Sequence, residues 1–132
     1  MSDIFDNIYV VLVEPKSPGN IGSTVRAMKN MGIRNLRLVN PVEYRNVVEQ
    51  KKMGYRSQEI IERSKEFDSL FAALADISLV LLATTREGKW KKNFLPPGKA
   101  AEIITARAAK EKIAVVFGRE ESGVTIDRKS VV

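Results

Sequence analysis

Four short apolar runs punctuate the chain: IYVVLV at Ile8–Val13, LRLV at 36–39, ISLVLLA at 77–83 and IAVVF at Ile113–Phe117. Runs this short and this nearly continuous predict strands buried on both faces, as in a parallel sheet covered by helices. The intervening segments carry helical signals. Residues 21–31 place Ile21, Val25, Met28 and Met31 at helical spacing, and Gly32 follows as a C-terminal stop. Residues 68–75 open on Asp68, an N-cap type, and continue in good helix formers. An alanine-rich helix is predicted over 99–110, after the Pro96-Pro97-Gly98 break, and a further one over 41–53. Residues 57–65 are ambiguous. Strands alternating with helices predict right-handed βαβ crossovers in an α/β fold. There is no internal repeat, low-complexity tract or interdomain linker. Residues 87–98, with Gly88, Trp90, three lysines and two prolines, read as a loop.

Composition narrows the chemistry. At 132 residues, 44% hydrophobic and 29% charged, the chain is the size and balance of one globular domain. It has no cysteine and no histidine. Disulfides, thiolate nucleophiles, serine–histidine triads and histidine-ligated metals are therefore excluded, and no metal is expected. A net charge of +6 suits a polyanionic partner, nucleic acid first, and equally suits a merely solvated basic surface. Residues 1–7 are acidic and polar, unlike a secretory leader, and no apolar run approaches the ~18–20 residues of a membrane span. A cytoplasmic location and no membrane partner are expected.

Three clusters fall where predicted strands end. The first, PKSPGNIGSTVR at 15–26, follows a strand and opens a helix. Its glycines permit close backbone approach and its helix start offers unpaired N–H groups to an anion. The glycine spacing fits neither a dinucleotide fingerprint nor a phosphate-loop lysine motif, and an ordinary capped loop accounts for it equally. The second is Phe117-Gly118-Arg119-Glu120-Glu121-Ser122-Gly123, and the third is Ala83-Thr84-Thr85-Arg86. Ligands of open α/β sheets sit outside the carboxyl ends of strands, so the two glycine-bearing loops point to one crevice; a plain strand-to-helix turn accounts equally for the second cluster, and a capping pair of threonines for the third taken alone. Arg86, Lys89, Trp90, Lys91 and Lys92 form a basic loop around one aromatic ring, a pattern suited to RNA phosphates and an unstacked base, and equally to a Trp90 packed on the domain among solubilising lysines. Arg34, Arg37, Arg45, Lys51, Lys52 and Arg56 are further basic positions that would extend that surface.

Together these residues resemble the SpoU/TrmH branch of the SPOUT class of S-adenosylmethionine-dependent RNA 2′-O-ribose methyltransferases. Asn20-x-Gly22-x-x-x-Arg26, with Ala27 and Met31-Gly32, is similar to that family's first motif, and Phe117-Gly118-Arg119-Glu120-x-x-Gly123 to its second. Val11-Leu12-Val13-Glu14, Leu38-Val39-Asn40-Pro41 and Thr84-Thr85-Arg86 look most like the TrmJ-type subgroup, which modifies a nucleotide of the tRNA anticodon loop. The resemblance spans residues 7–124. It implies a parallel α/β sheet flanked by helices, a C-terminal trefoil knot that holds S-adenosyl-L-methionine, a homodimer in the full-length protein, and tRNA as partner. Carried over by position, Ala83, Thr84, Thr85 and Gly118 would line the cofactor pocket, and Asn20, Arg26 and Glu120 would sit beside the reacting ribose. A guanidinium is a poor base near neutrality, so Arg26 is read as a cation that orients substrate and stabilises developing oxyanion charge. Glu120 would hold its fork in place.

The chain departs from the family in one respect. The third motif, which forms the knot, half of the cofactor pocket and much of the dimer contact, is missing, since only nine residues follow Gly123. Residues 127–132 back-translate as GATCGGAAGAGCGTCGTG, the start of a widely used sequencing adapter. Residues 1–125 are therefore expected to be an incomplete, inactive SPOUT-type methyltransferase domain, and 126–132 a non-native tail. In such a fragment the strand at Ile113–Phe117 would lie uncovered. Two other readings of the residues are a non-catalytic RNA-binding module and a nucleotide-binding α/β domain.

Overall fold

The computed structural model describes residues 4–45, 54–83, 97–118 and 130–131. The first apolar run forms β1 (Ile8–Val13), entered through a single 3-10 turn at Ile4–Asn7. Helix α1 (Pro18–Met31) follows, then β2 (Asn35–Val39), α2 (Tyr55–Arg63), β3 (Lys65–Phe67), α3 (Leu70–Ala73), β4 (Leu79–Ala83), α4 (Pro97–Arg107), β5 (Ile113–Phe117) and β6 (Ser130–Val131). The sheet order is β3-β2-β1-β5-β4-β6, with every pairing parallel.

All four predicted strands are present. The uncovered strand expected at Ile113–Phe117 is not found. β5 lies centrally between β1 and β4, and Ile113, Ala114 and Val116 are buried. Neighbours on both sides satisfy its backbone groups, which leaves only Phe117, at the carboxyl end, exposed. β3 was not foreseen because Lys65-Glu66-Phe67 carries no apolar run, as befits a short charged strand at a sheet edge. Two residues of the tail expected to be non-native, Ser130 and Val131, pair with β4. The proposed helix over 41–53 fails at its start. Pro41–Tyr44 is irregular, because left-handed Asn40 (φ 46°) turns the chain so that Tyr44 enters the core. There Tyr44 Oη pairs with Ser64 Oγ at 2.9 Å, and burial pushes the phenol pKa upward.

Side chains alternate across the sheet as its pleat requires. On one face Val10, Leu12, Leu36, Leu38, Leu79, Leu81 and Ile113 meet Ile21, Val25 and Met28 of α1, Ile60 and Ile61 of α2, and Ile103 and Ile104 of α4. On the other, Val11, Val39, Val80, Ala114 and Val116 meet Ala73, Leu74 and Ile77 around the short α3.

Helix α1 is fixed at both ends. Ser17 Oγ accepts from the Asn20 N–H at 3.2 Å, and Pro18 occupies the first helical position, where its missing N–H costs nothing. At the far end Gly32 adopts φ 81°, its N–H reaching Lys29 O while the Ile33 N–H reaches Met28 O at 2.9 Å. Ser17→Ala is expected to cost about 1 kcal/mol by removing the cap. Urea denaturation would check this, and a midpoint equal to the parent's would show the cap to be inert.

Three of the basic positions expected on a nucleic-acid surface are occupied elsewhere. Arg37, only 8% exposed, donates to Asp76 Oδ1 at 2.6 Å, Asp76 Oδ2 at 3.0 Å and Ala73 O at 2.8 Å, with its guanidinium over the Tyr9 ring. Arg45 donates to Ile61 O and Ser64 O at the end of α2. Arg34 pairs with Asp6 at the amino edge of the sheet.

Candidate functional site at the carboxyl edge of the sheet

β1 and β2 both end on residues in the left-handed region, Glu14 (φ 49°) and Asn40 (φ 46°). The Glu14 N–H donates to Val39 O at 2.8 Å and the Asn40 N–H to Phe67 O at 3.0 Å. The chain thus turns off the sheet at the same level on neighbouring strands. Left-handed backbone is ordinary for Asn but costs roughly 1 kcal/mol for Glu, a strain that gathers at functional edges.

Between this edge and α1 lies a cleft of about 640 Å³. Its floor is Val10, Leu12, Val115 and Phe117, its α1 wall carries Asn20, Thr24, Ala27 and Met31, and Glu14, Lys16 and Gly118 stand at the rim. The size suits a small organic ligand or a nucleoside. Asn20 and Gly118, from the first and second sequence motifs, are therefore brought to one cavity. Ala83 lies one strand away, in register with Phe117, which is itself in register with Leu12. Leu12, Phe117 and Ala83 form one row across the carboxyl ends of three strands.

Arg26 does not join Asn20 in the cleft. It is exposed, and six residues along a helix turn it ~120° away from Asn20. The α1 sectors are distinct: Ile21, Val25 and Met28 face the core, Asn20, Thr24, Ala27 and Met31 face the cleft, and Gly22, Arg26 and Lys29 take the remainder. Thr84, Thr85, Arg86, Lys89, Trp90, Lys91, Lys92 and Glu120 lie outside the described residues. Sequence reasoning did not single out Glu14 or Lys16 as rim residues. Glu14 ends the Val-Leu-Val-Glu run, and nothing local in the sequence announces its positive φ. Among the described residues no group of three or more acidic side chains is placed to hold a metal, and no helix is long and apolar enough to cross a membrane.

The family model described as SpoU rRNA methylase matches residues 7–130. The chain belongs to the SpoU methylase family. An uncharacterized tRNA/rRNA methyltransferase of Haemophilus influenzae is 38% identical over 123 residues, covering 92% of this chain and 49% of that protein. A tRNA (cytidine/uridine-2′-O-)-methyltransferase TrmJ of Sodalis glossinidius is 39% identical over 121 residues, covering 92% and 47%. The structure of a probable methylase family protein from Haemophilus influenzae superposes with a TM-score of 0.80 at 37% identity, over 92% of this chain and 50% of that one. The crystal structure of TrmJ from Z. mobilis gives 0.73 at 25% identity, over 94% and 57%. The chain spans about half the length of the curated relatives it matches. The parallel sheet flanked by helices, read from the apolar runs, is the fold of these SpoU methylases.

Proposed function

We propose that this chain is the methyltransferase domain of an enzyme that methylates a ribose 2′-oxygen of tRNA, in the anticodon loop, using S-adenosyl-L-methionine. The observation that carries the reading is the meeting of Asn20 and Gly118, one from each sequence motif, in a single cleft of a SpoU-family fold. The names of the TrmJ relatives supply the substrate class.

The residues present suit the cofactor. Gly118 brings a backbone without a side chain to the rim, Ala83 places a small side chain on the adjacent strand, and the floor is apolar. Thr84 and Thr85 would complete that wall. S-adenosylmethionine supplies an electrophilic methyl on a sulfonium. The chain's task is then to position a 2′-hydroxyl, dispose of its proton and stabilise the oxygen as charge develops. Asn20 orients the ribose with its amide. Arg26, turned away from this cleft on α1, and Glu120 carry their roles, as the fixed cation and as the group that holds its guanidinium, from the motif resemblance alone. The basic loop with Arg86, Lys89, Trp90, Lys91 and Lys92 tracks the tRNA backbone. A homodimer in the cytoplasm is part of the same proposal.

The test is transfer of tritiated methyl to unmodified tRNA and to ribosomal RNA, by the full-length gene product and by residues 1–132. The expected result is 2′-O-methyl nucleotide in tRNA from the full-length protein only. Methylation of ribosomal RNA alone would move the substrate, and no transfer to either RNA would sink the reading.

A further inference from the structure

We propose that Tyr55 and Arg56, at the start of α2, form a second RNA contact on the far side of α1 from the cleft, Tyr55 stacking on an unpaired base and Arg56 holding an adjacent phosphate. The inference rests on the RNA-modifying reading above and extends it to a surface that neither sequence motif includes.

Tyr55 is 82% exposed, the most open of the large apolar side chains in the described residues. Its hydroxyl has no partner among the described residues, and Arg56 beside it is exposed as well. A single exposed aromatic is common on protein surfaces and means nothing alone. Its position and its neighbour give it meaning.

A helix that connects parallel strands runs back against them, so α1 and α2 both start towards the carboxyl edge. Their far ends are tied to the amino edge, α1 by its Gly32 cap and α2 by Arg63, which donates to Asn35 Oδ1 at 3.2 Å. At ~1.5 Å per residue, the 14 residues of α1 span ~21 Å and the nine of α2 span ~14 Å. Tyr55 therefore stands about level with the second turn of α1. The cleft occupies the β5 side of α1, whereas α2 follows β2 on the opposite side. The α1 sector turned away from the cleft, with Gly22, Arg26 and Lys29, is thus the one flanking α2.

Charge sorting points the same way. Of the six additional basic positions read from the sequence, Arg37, Arg45 and Arg34 are spent on internal or amino-edge partners. Lys51 and Lys52 lie outside the described residues. Arg56 is the described member that stays exposed without an ion pair among the described residues, and it adjoins the open ring. Aromatic faces stack bases with little sequence preference, while adjacent cations hold the phosphates. Tyr55, Arg56 and Arg26 together give an RNA strand a path over the α1–α2 flank.

The experiment uses the full-length protein and fluorescently labelled unmodified tRNA, with anisotropy read at several salt concentrations. Tyr55→Ala is expected to weaken binding about tenfold, and Tyr55→Phe to stay within about twofold of wild type. Arg56→Gln is expected to lower the slope of log affinity against log salt by about one. Equal affinity for wild type and Tyr55→Ala would overturn the proposal. So would an altered assembly state in sedimentation with RNA affinity intact, since Tyr55 would then be a protein contact. Failure of the underlying reading looks different: the wild type itself would neither bind nor methylate tRNA.

Discussion

On the proposed tRNA methylation, Arg26→Ala in the full-length protein is expected to lower methyl transfer ~10²–10³-fold, the scale seen when a donor to a developing oxyanion is removed. Cofactor affinity should stay within about twofold, because Ala83 and Gly118 lie at the sheet edge and Arg26 on the far sector of α1. The fold should tolerate the change, since Arg26 is exposed and contributes nothing to the core. Arg26→Lys should fail nearly as badly. One ammonium provides charge but not a planar fork that can hold two oxygens at once. Single-turnover assays with tritiated methyl donor, alongside calorimetric titration of the cofactor, separate chemistry from binding. Near-native turnover by either variant would remove Arg26 from the reaction.

The largest stability effect is expected at Asp76. Its carboxylate accepts both prongs of the buried Arg37 guanidinium, at 2.6 and 3.0 Å, and Lys112 Nζ at 3.2 Å. Asp76→Asn leaves the guanidinium buried without a counter-charge. Breaking a fully buried pair costs roughly 3–5 kcal/mol, and the half-exposed carboxylate here argues for about 2 kcal/mol. Arg37→Met should cost less, because it removes the buried charge and leaves Asp76 open to water. These hydrogen bonds hold the Asp76 carboxyl well below the usual carboxylate range in the folded state. Its stabilisation is thus fully present above the unfolded-chain value of about 4 and is lost as the pH falls below it. Denaturant midpoints at pH 7 and pH 3 test both points. The wild type should lose more than Asp76→Asn on acidification, and parallel losses would show that Asp76 does not contribute.

The central sheet was legible because β1, β4 and β5 are buried on both faces, which forces unbroken apolar runs that need no partner to be recognised. Helix α1 was legible through its spacing and the Gly32 stop, although Ser17 and Pro18 begin it three residues before the apolar pattern does. What escaped was structure that depends on distant residues. β3 is charged and exists only because β2 offers it an edge. Arg37 reads as a surface cation until Asp76, 39 residues later, is folded against it. At the site, the motifs identified Asn20 and Gly118, since glycine loops after strands carry their own signature. The divergence of Asn20 and Arg26 across α1 was equally available from a helical wheel. Which sector held the cleft was not, because Val115 and Phe117 define it from the other end of the chain.

The strand order carries a consequence for synthesis. β1 pairs on one side with β2, its near neighbour in sequence, and on the other with β5, where Ile8 meets Ile113. As the chain leaves the ribosome, β1, β2 and β3 can assemble early, but the second edge of β1 has no partner until β5 emerges. At about 5–20 residues per second, the interval between Val39 and Ile113 is roughly 4–15 s. Throughout it the nascent sheet presents one of its most apolar strands as an open template. Until β5 emerges, chaperone capture and strand-to-strand aggregation would compete for that open edge.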